Sequence, residues 1–200
     1  MIYIHHAPIR VWHWVNAVGF LFLILTGIQI RFAEQLDFIS LEQAIYLHNY
    51  VGFMVIPNYF LWVVYYLGTG QMRLYVPTSN NLLPKIKEQV VFYSWGVFRG
   101  APNPHKITAK NKFNILQQVT YAKIMFLLLP LQMVTGIFLW QIKQFENYID
   151  LMGGIKIVNS IHVLLFFFFV AFMVGHIYMT TFGHTPLAHI KSMFTGYVQA

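Results

Sequence analysis

The side chains in this sequence that can exchange protons or bind a metal near neutral pH are concentrated in histidine. Four long apolar runs, at residues 11–30, 44–68, 117–142 and 157–182, contain His13, His48, His162 and His176. Apart from Lys123, the same runs hold no Asp, Glu, Lys or Arg. A polar side chain inside such a run is costly and needs a partner or a function. His162 and His176 stand near opposite ends of the last run, Ile157 to Phe182. On an α-helix their spacing is about 21 Å of rise and leaves the two within about 40° of one face. An imidazole can donate, accept or relay a proton, or give a ring nitrogen to a metal.

The elements that must carry these histidines follow from composition. The chain of 200 residues is 58% hydrophobic and 18% aromatic, and 10% of it is charged. Soluble domains average about 25% charged, and about 20 apolar residues cross a bilayer. The expectation is an all-α integral membrane protein, a four-transmembrane-helix bundle forming a single domain over residues 1–200. The N-terminal MIYIHHAPIR lacks the basic leader and small-residue cleavage site of a signal peptide.

Charge assigns the orientation. Arg31 with Glu34, Asp37 and Glu42 separates the first two runs, and Lys143, Glu146, Asp150 and Lys156 separate the last two. The connection at 71–114 carries Arg73, Lys85, Lys87, Arg99, Lys106, Lys110 and Lys112 against Glu88 alone. By the positive-inside rule this loop is cytoplasmic, and both termini join it. The net charge of +7 is thus read as membrane topology and not as a nucleic-acid surface. Within the loop, Leu82 to Phe98 mixes charged with large apolar residues and suits either a helix in the membrane interface or a partly ordered cover. No internal repeat is visible. The Phe166–Phe169 run is ordinary lipid-facing or core packing.

Orientation gives each histidine a depth. His13 and His176 fall at the cytoplasmic level, His48 and His162 at the outer level. Two imidazoles at one depth on different helices, in a chain with no cysteine, suit a bis-histidine b-type haem, whereas covalent c-type haem and thiolate-held clusters are excluded. Two haem b groups are expected, with the four histidines as axial ligands of the iron and electron transfer as their role. Gly19, Gly52 and Gly175 offer clearance near the ligands. Arg10 and Arg31 are candidates to pair with haem propionates, or to snorkel to lipid head groups. His5, His6, His105, His184 and His189 are read as interfacial or partner contacts. No residue for bond-making catalysis is predicted. Competing readings are a haem-free structural anchor, a proton channel using the histidines as a relay, and a stand-alone transmembrane haem b reductase.

The pattern resembles the two-haem cytochrome b subunits that anchor bacterial respiratory enzymes: the thiosulfate reductase cytochrome b type above all, the gamma subunit of formate dehydrogenase, and the cytochrome b of nickel–iron hydrogenase. The resemblance rests on Arg10-Val-Trp-His13-Trp14 and Thr26-Gly27, on His48 and Gly52, and on Lys112-Phe-Asn114-Ile-Leu-Gln117. It continues through Pro130, Thr135-Gly136, His162 and Gly175-His176. It implies menaquinone bound at the cytoplasmic face, with Asn114 and then Gln117 as hydrogen-bond donors to a quinone oxygen; alone, both residues read as a polar helix start. It also implies an iron–sulfur or multihaem extracytoplasmic subunit with its catalytic subunit as partner, in the cytoplasmic membrane of a bacterium or archaeon. The chain lacks the long charged C-terminal tail of the formate dehydrogenase type.

Overall fold

The computed structural model describes residues 1–77, 81–106, 108 and 112–198; Lys110 of the basic loop lies outside them. Four helical stretches are long and apolar enough to cross a membrane: Ala7–Arg31, Leu41–Gly68, Ile115–Trp140 and Ile155–Thr180. We call the first two α1 and α2, and the last α7. The third is composite. Helix α4 (Ile115–Lys123) opens into a wide π turn at Ile124–Leu128 and continues as α5 (Leu129–Trp140). Pro130 explains the turn, since it has no N–H for the ladder and its ring crowds the carbonyl four residues back. Pro57 removes one ladder bond from α2 in the same way.

Polar side chains at helix starts do what their spacing predicts. Ser40 and Gln43 bond each other's backbone N–H at 3.2 Å in both directions and begin α2. Asn114 and Gln117 make the same reciprocal box at the start of α4, at 2.8 and 3.0 Å. Each box satisfies two N–H groups that a helix start leaves without partners.

The chain forms two compact units. The first comprises Met1–Arg10, Val64–Leu127 and Val174–Ala200. Here β1 (Ile2–Tyr3) pairs antiparallel with β2 (Tyr197–Val198), so the two ends of the chain are clasped. Gly196, at φ 89°, lies against the Tyr3 ring where a Cβ would not fit. Arg10 Nη1 donates to the Phe194 carbonyl in the last turn of α8 (Ala188–Thr195), where cations complement the helix dipole. Lys112 Nζ donates to the Ile4 carbonyl at 3.2 Å and to Gln71 Oε1 at 3.4 Å, and burial pushes its pKa down. The 82–98 segment of the basic loop is helical as α3 (Leu82–Ser94), with Gln89 and Phe92 buried and Leu83 exposed.

The second unit comprises Val11–Val63 and Leu128–Met173. Val55, Trp62, Thr135, Val158, Leu165 and Phe169 form its core, while Phe22, Leu164, Phe167 and Phe168 face outward, as expected for a lipid-facing surface. Its extramembrane loops are ordered locally. Gln29, 3% exposed, donates to the Leu36 carbonyl at 2.7 Å and accepts from Phe38 N at 3.2 Å, and so ties the 32–38 turn to α1. Short helix α6 (Glu146–Leu151) buries Ile149, and Gly153 and Gly154, both at positive φ, turn the chain into α7.

Close approach of α1 to α2 depends on Gly19, where a Cβ would lie 2.7 Å from Val55 Cγ2. Val55 is β-branched and cannot easily rotate away. Gly19→Ala is expected to lower stability by about 1–3 kcal/mol, the usual range for overpacking, read as a lower melting temperature in detergent. Adding Val55→Ala should recover part of that loss.

A paired-imidazole site

Within the second unit, α2 and α7 bring the rings of His48 and His162 together edge to face. Their ring centroids are 6.4 Å apart and the ring planes cross at 67°. Both rings are half-buried. Each is held by a threonine of an earlier membrane-spanning helix: His48 Nδ1 lies 2.9 Å from Thr26 Oγ1 of α1, and His162 Nδ1 lies 2.9 Å from Thr135 Oγ1 of α5. The two threonines are 5% and 0% exposed. The glycines that follow them lie against the same rings. A Cβ on Gly27 would sit 3.6 Å from His48 Cε1, and one on Gly136 would sit 3.2 Å from His162 Cε1. Gln132 Nε2 is 3.1 Å from the other ring nitrogen of His162, and its Oε1 is buried without a hydrogen bond.

These residues fit a metal held between two imidazoles. Taking about 2 Å for each metal–nitrogen bond, opposed rings sharing one metal have centroids about 6 Å apart, against the 6.4 Å observed. Each Nδ1 is engaged with a threonine, which points to Nε2 as the coordinating nitrogen; on His162 a metal would take the place of the Gln132 amide, 3.1 Å away. Among the described residues no cluster of three or more His, Cys, Asp or Glu could hold a bare metal ion. The donor set therefore suits a metal that brings its own equatorial ligands, as haem does.

The other predicted residues distribute as follows. His13 lies half-buried in the second unit, its ring edge-on to Trp14 at 5.2 Å. On the same helix, Trp12 Nε1 and Asn16 Oδ1 are buried without hydrogen bonds, while Asn16 and Asn58 both donate to the Trp12 carbonyl, at 3.2 and 3.3 Å. His176 lies half-buried on α7 in the first unit. A Cβ on the adjacent Gly175 would meet nothing within 4 Å. Arg10 is directed to the Phe194 carbonyl, and Arg31 lies at the end of α1 over the Phe32 ring, 5.7 Å from its centroid. Gly19, read as clearance, instead packs against Val55, and Gly52 has only Leu23 at 4.0 Å.

Asn114, 3% exposed, uses Oδ1 in the helix cap and donates Nδ2 to the Tyr93 hydroxyl at 3.1 Å. Gln117 uses Oε1 in the same cap. Nothing in the sequence pattern singles out Tyr93. It stacks on Phe182 at 6.1 Å, and burial raises its phenol pKa against the opposing effect of hydrogen bonds from Asn114, Asn103 and Gln89. His189 of α8 is buried enough to lower its imidazole pKa.

The model of the family described as prokaryotic cytochrome b561 matches residues 4–196. The chain belongs to that family. Among its relatives, "Putative cytochrome YdhU" of Escherichia coli K12 is 31% identical over 197 residues, covering 98% of this chain and 74% of that one. "Probable Ni/Fe-hydrogenase B-type cytochrome subunit" proteins are 26% identical in Cupriavidus necator, over 88% of this chain and 77% of that one, and 25% identical in Rhizobium leguminosarum bv. viciae, over 89% and 80%. No solved structure matches the chain significantly. As a prokaryotic cytochrome b561, the chain is a multi-pass bacterial membrane protein that transfers electrons by b-type haem.

Gly136 supplies a test of the site. The Cβ of Gly136→Ala would press on His162 at 3.2 Å, and displacing a ligand or its support typically costs about 10- to 100-fold in metal affinity. The variant should lose haem more readily in a competition with apomyoglobin, while Gly68→Ala, at a position open within 4 Å, should retain it like wild type.

Proposed function

We propose that this cytochrome b561 exchanges electrons with menaquinone near the cytoplasmic face of the membrane and with an iron–sulfur or multihaem subunit outside it, and that it holds two b haems, on His48/His162 and on His13/His176. The observation that carries the proposal is the 6.4 Å separation of His48 and His162, with each Nδ1 engaged by a threonine. Haem b, when bound, would supply a one-electron couple, and His48 with His162 would hold it through their ring nitrogens. The chain itself binds, orients and sets the local dielectric.

The second pair is supported by depth in sequence: His13 begins the first span, and His176 lies toward the end of the fourth, well beyond His162. The excess of basic residues in loop 71–114 supports a cytoplasmic position for that loop and both termini. Arg31 is assigned to the outer propionates. Arg10 is assigned to the inner ones through Nε, which is buried without a hydrogen bond. The names of the hydrogenase cytochrome relatives support a catalytic complex as the setting, with this chain as its membrane anchor.

For menaquinone, Asn114 has a definite remaining capacity. A side-chain amide has two N–H donors, and one is spent on Tyr93. The second is assigned to a quinone oxygen, with Gln117 beside it. Tyr93, its phenol pKa raised, stays protonated through the physiological range and can keep Asn114 oriented.

Two measurements test these assignments. Extraction and a pyridine haemochrome spectrum should give two b haems per chain, falling to about one in His162→Ala; no haem in wild type overturns the proposal. Asn114→Ser keeps an N-cap oxygen but has no amide donor. It should lower kcat/KM for a menaquinol analogue by about 3- to 10-fold, the worth of one hydrogen bond, with haem content unchanged. An unaltered kcat/KM removes Asn114 from the quinone site.

A further inference from the structure

The outer imidazole pair is built from two copies of one local device. In α1 the pattern is Leu23-x-x-Thr26-Gly27, and in α5 it is Gln132-x-x-Thr135-Gly136. In both copies the threonine hydroxyl donates to the carbonyl four residues back, Thr26 to Phe22 at 2.7 Å and Thr135 to Leu131 at 2.8 Å. Each also lies near the carbonyl three residues back, at 3.3 Å from Leu23 and 3.1 Å from Gln132. The glycine after each threonine leaves room for the ring edge.

Proton bookkeeping points to one tautomer. A hydroxyl has one proton, and with that proton given to the helix carbonyl at 2.7 or 2.8 Å, the shortest contact of each threonine, the oxygen is left to accept from Nδ1. Gln132 Nε2 lies 3.1 Å from His162 Nε2, the placement expected where that ring nitrogen accepts. From these bonds we infer that Thr26 and Thr135 are matched positioning residues, which hold His48 and His162 as Nδ1–H imidazoles and so make Nε2 the unprotonated, metal-binding nitrogen of both rings. The inference deepens the outer-haem assignment above and rests on it for its redox consequence, though not for the tautomer itself.

The consequence is specific. A hydrogen bond from Nδ1–H to an acceptor makes the imidazole a stronger electron donor to its metal, which favours the oxidised iron. Valine keeps the shape of threonine but cannot accept. Thr26→Val and Thr135→Val, on different helices and far apart in sequence, should therefore raise the midpoint potential of the same haem. That haem is the one lost in His162→Ala. The other haem should not move. Thr26→Ser and Thr135→Ser keep the acceptor and should titrate like wild type.

The experiment is a spectropotentiometric titration of the purified full chain and these four variants, together with ring 15N shifts of histidine-labelled, haem-free protein. The shifts should show His48 and His162 as Nδ1–H in wild type and as tautomer mixtures in the respective valine variants, which also decides the matter where a valine variant fails to retain haem. Nε2–H rings in wild type, or valine variants with wild-type potentials, would overturn the inference. Nδ1–H rings in a wild type that binds no haem would instead leave the device standing and sink the outer-haem assignment.

Discussion

The structure depends on one constraint: an imidazole placed in a hydrocarbon-spanning helix must have both ring nitrogens satisfied, and water is not there to do it. For His48 and His162 the solution comes from neutral groups. A threonine hydroxyl lies 2.9 Å from each Nδ1, and the Gln132 amide lies 3.1 Å from His162 Nε2. A carboxylate in place of each threonine would bind the imidazole more strongly but would itself need a charge partner inside the membrane. Threonine avoids that, because in a helix its own hydroxyl proton already has a carbonyl to go to.

Much of the second unit can be understood as support for that arrangement. The rings need space, which Gly27 and Gly136 supply, and the helices that carry them need fixed separation, which Gly19 against Val55 helps to set. Gln29, one turn beyond Thr26, extends the same side of α1 into the 32–38 turn through two hydrogen bonds. The loop and the site thus share one helix end. In the first unit the same economy of polar groups appears at Asn114, whose amide serves a helix cap and Tyr93 at once.

Much of this is legible in sequence, for physical reasons. The four apolar stretches stand out because the bilayer demands length and excludes charge, and the helices extend a few residues past the apolar runs at Ala7, Leu41, Ile115 and Ile155 because polar caps lie outside the hydrocarbon pattern. The family resemblance is carried by histidine spacing and short motifs, and the family match over residues 4–196 agrees with it. What sequence does not show is the partner of each ring. Thr26-Gly27 and Thr135-Gly136 are visible as recurring dipeptides, yet nothing in a one-dimensional pattern says that a threonine on one long helix meets a histidine on the next. The helix of α3 is one of the two forms its sequence suits, but its buried face and the role of Tyr93 are hidden, since a mixed segment such as Leu82–Phe98 reveals which face it buries only once Gln89, Phe92 and Tyr93 have partners.

The central claim is that His48 and His162 ligate one iron from opposite sides. Near-infrared magnetic circular dichroism of the oxidised, purified chain tests it most directly, because the band position reports the two axial ligands. The account predicts bis-imidazole, low-spin iron in wild type and loss of one such centre in His48→Ala. A wild-type spectrum with no bis-imidazole centre, or a bis-imidazole signal undiminished in His48→Ala, would contradict it.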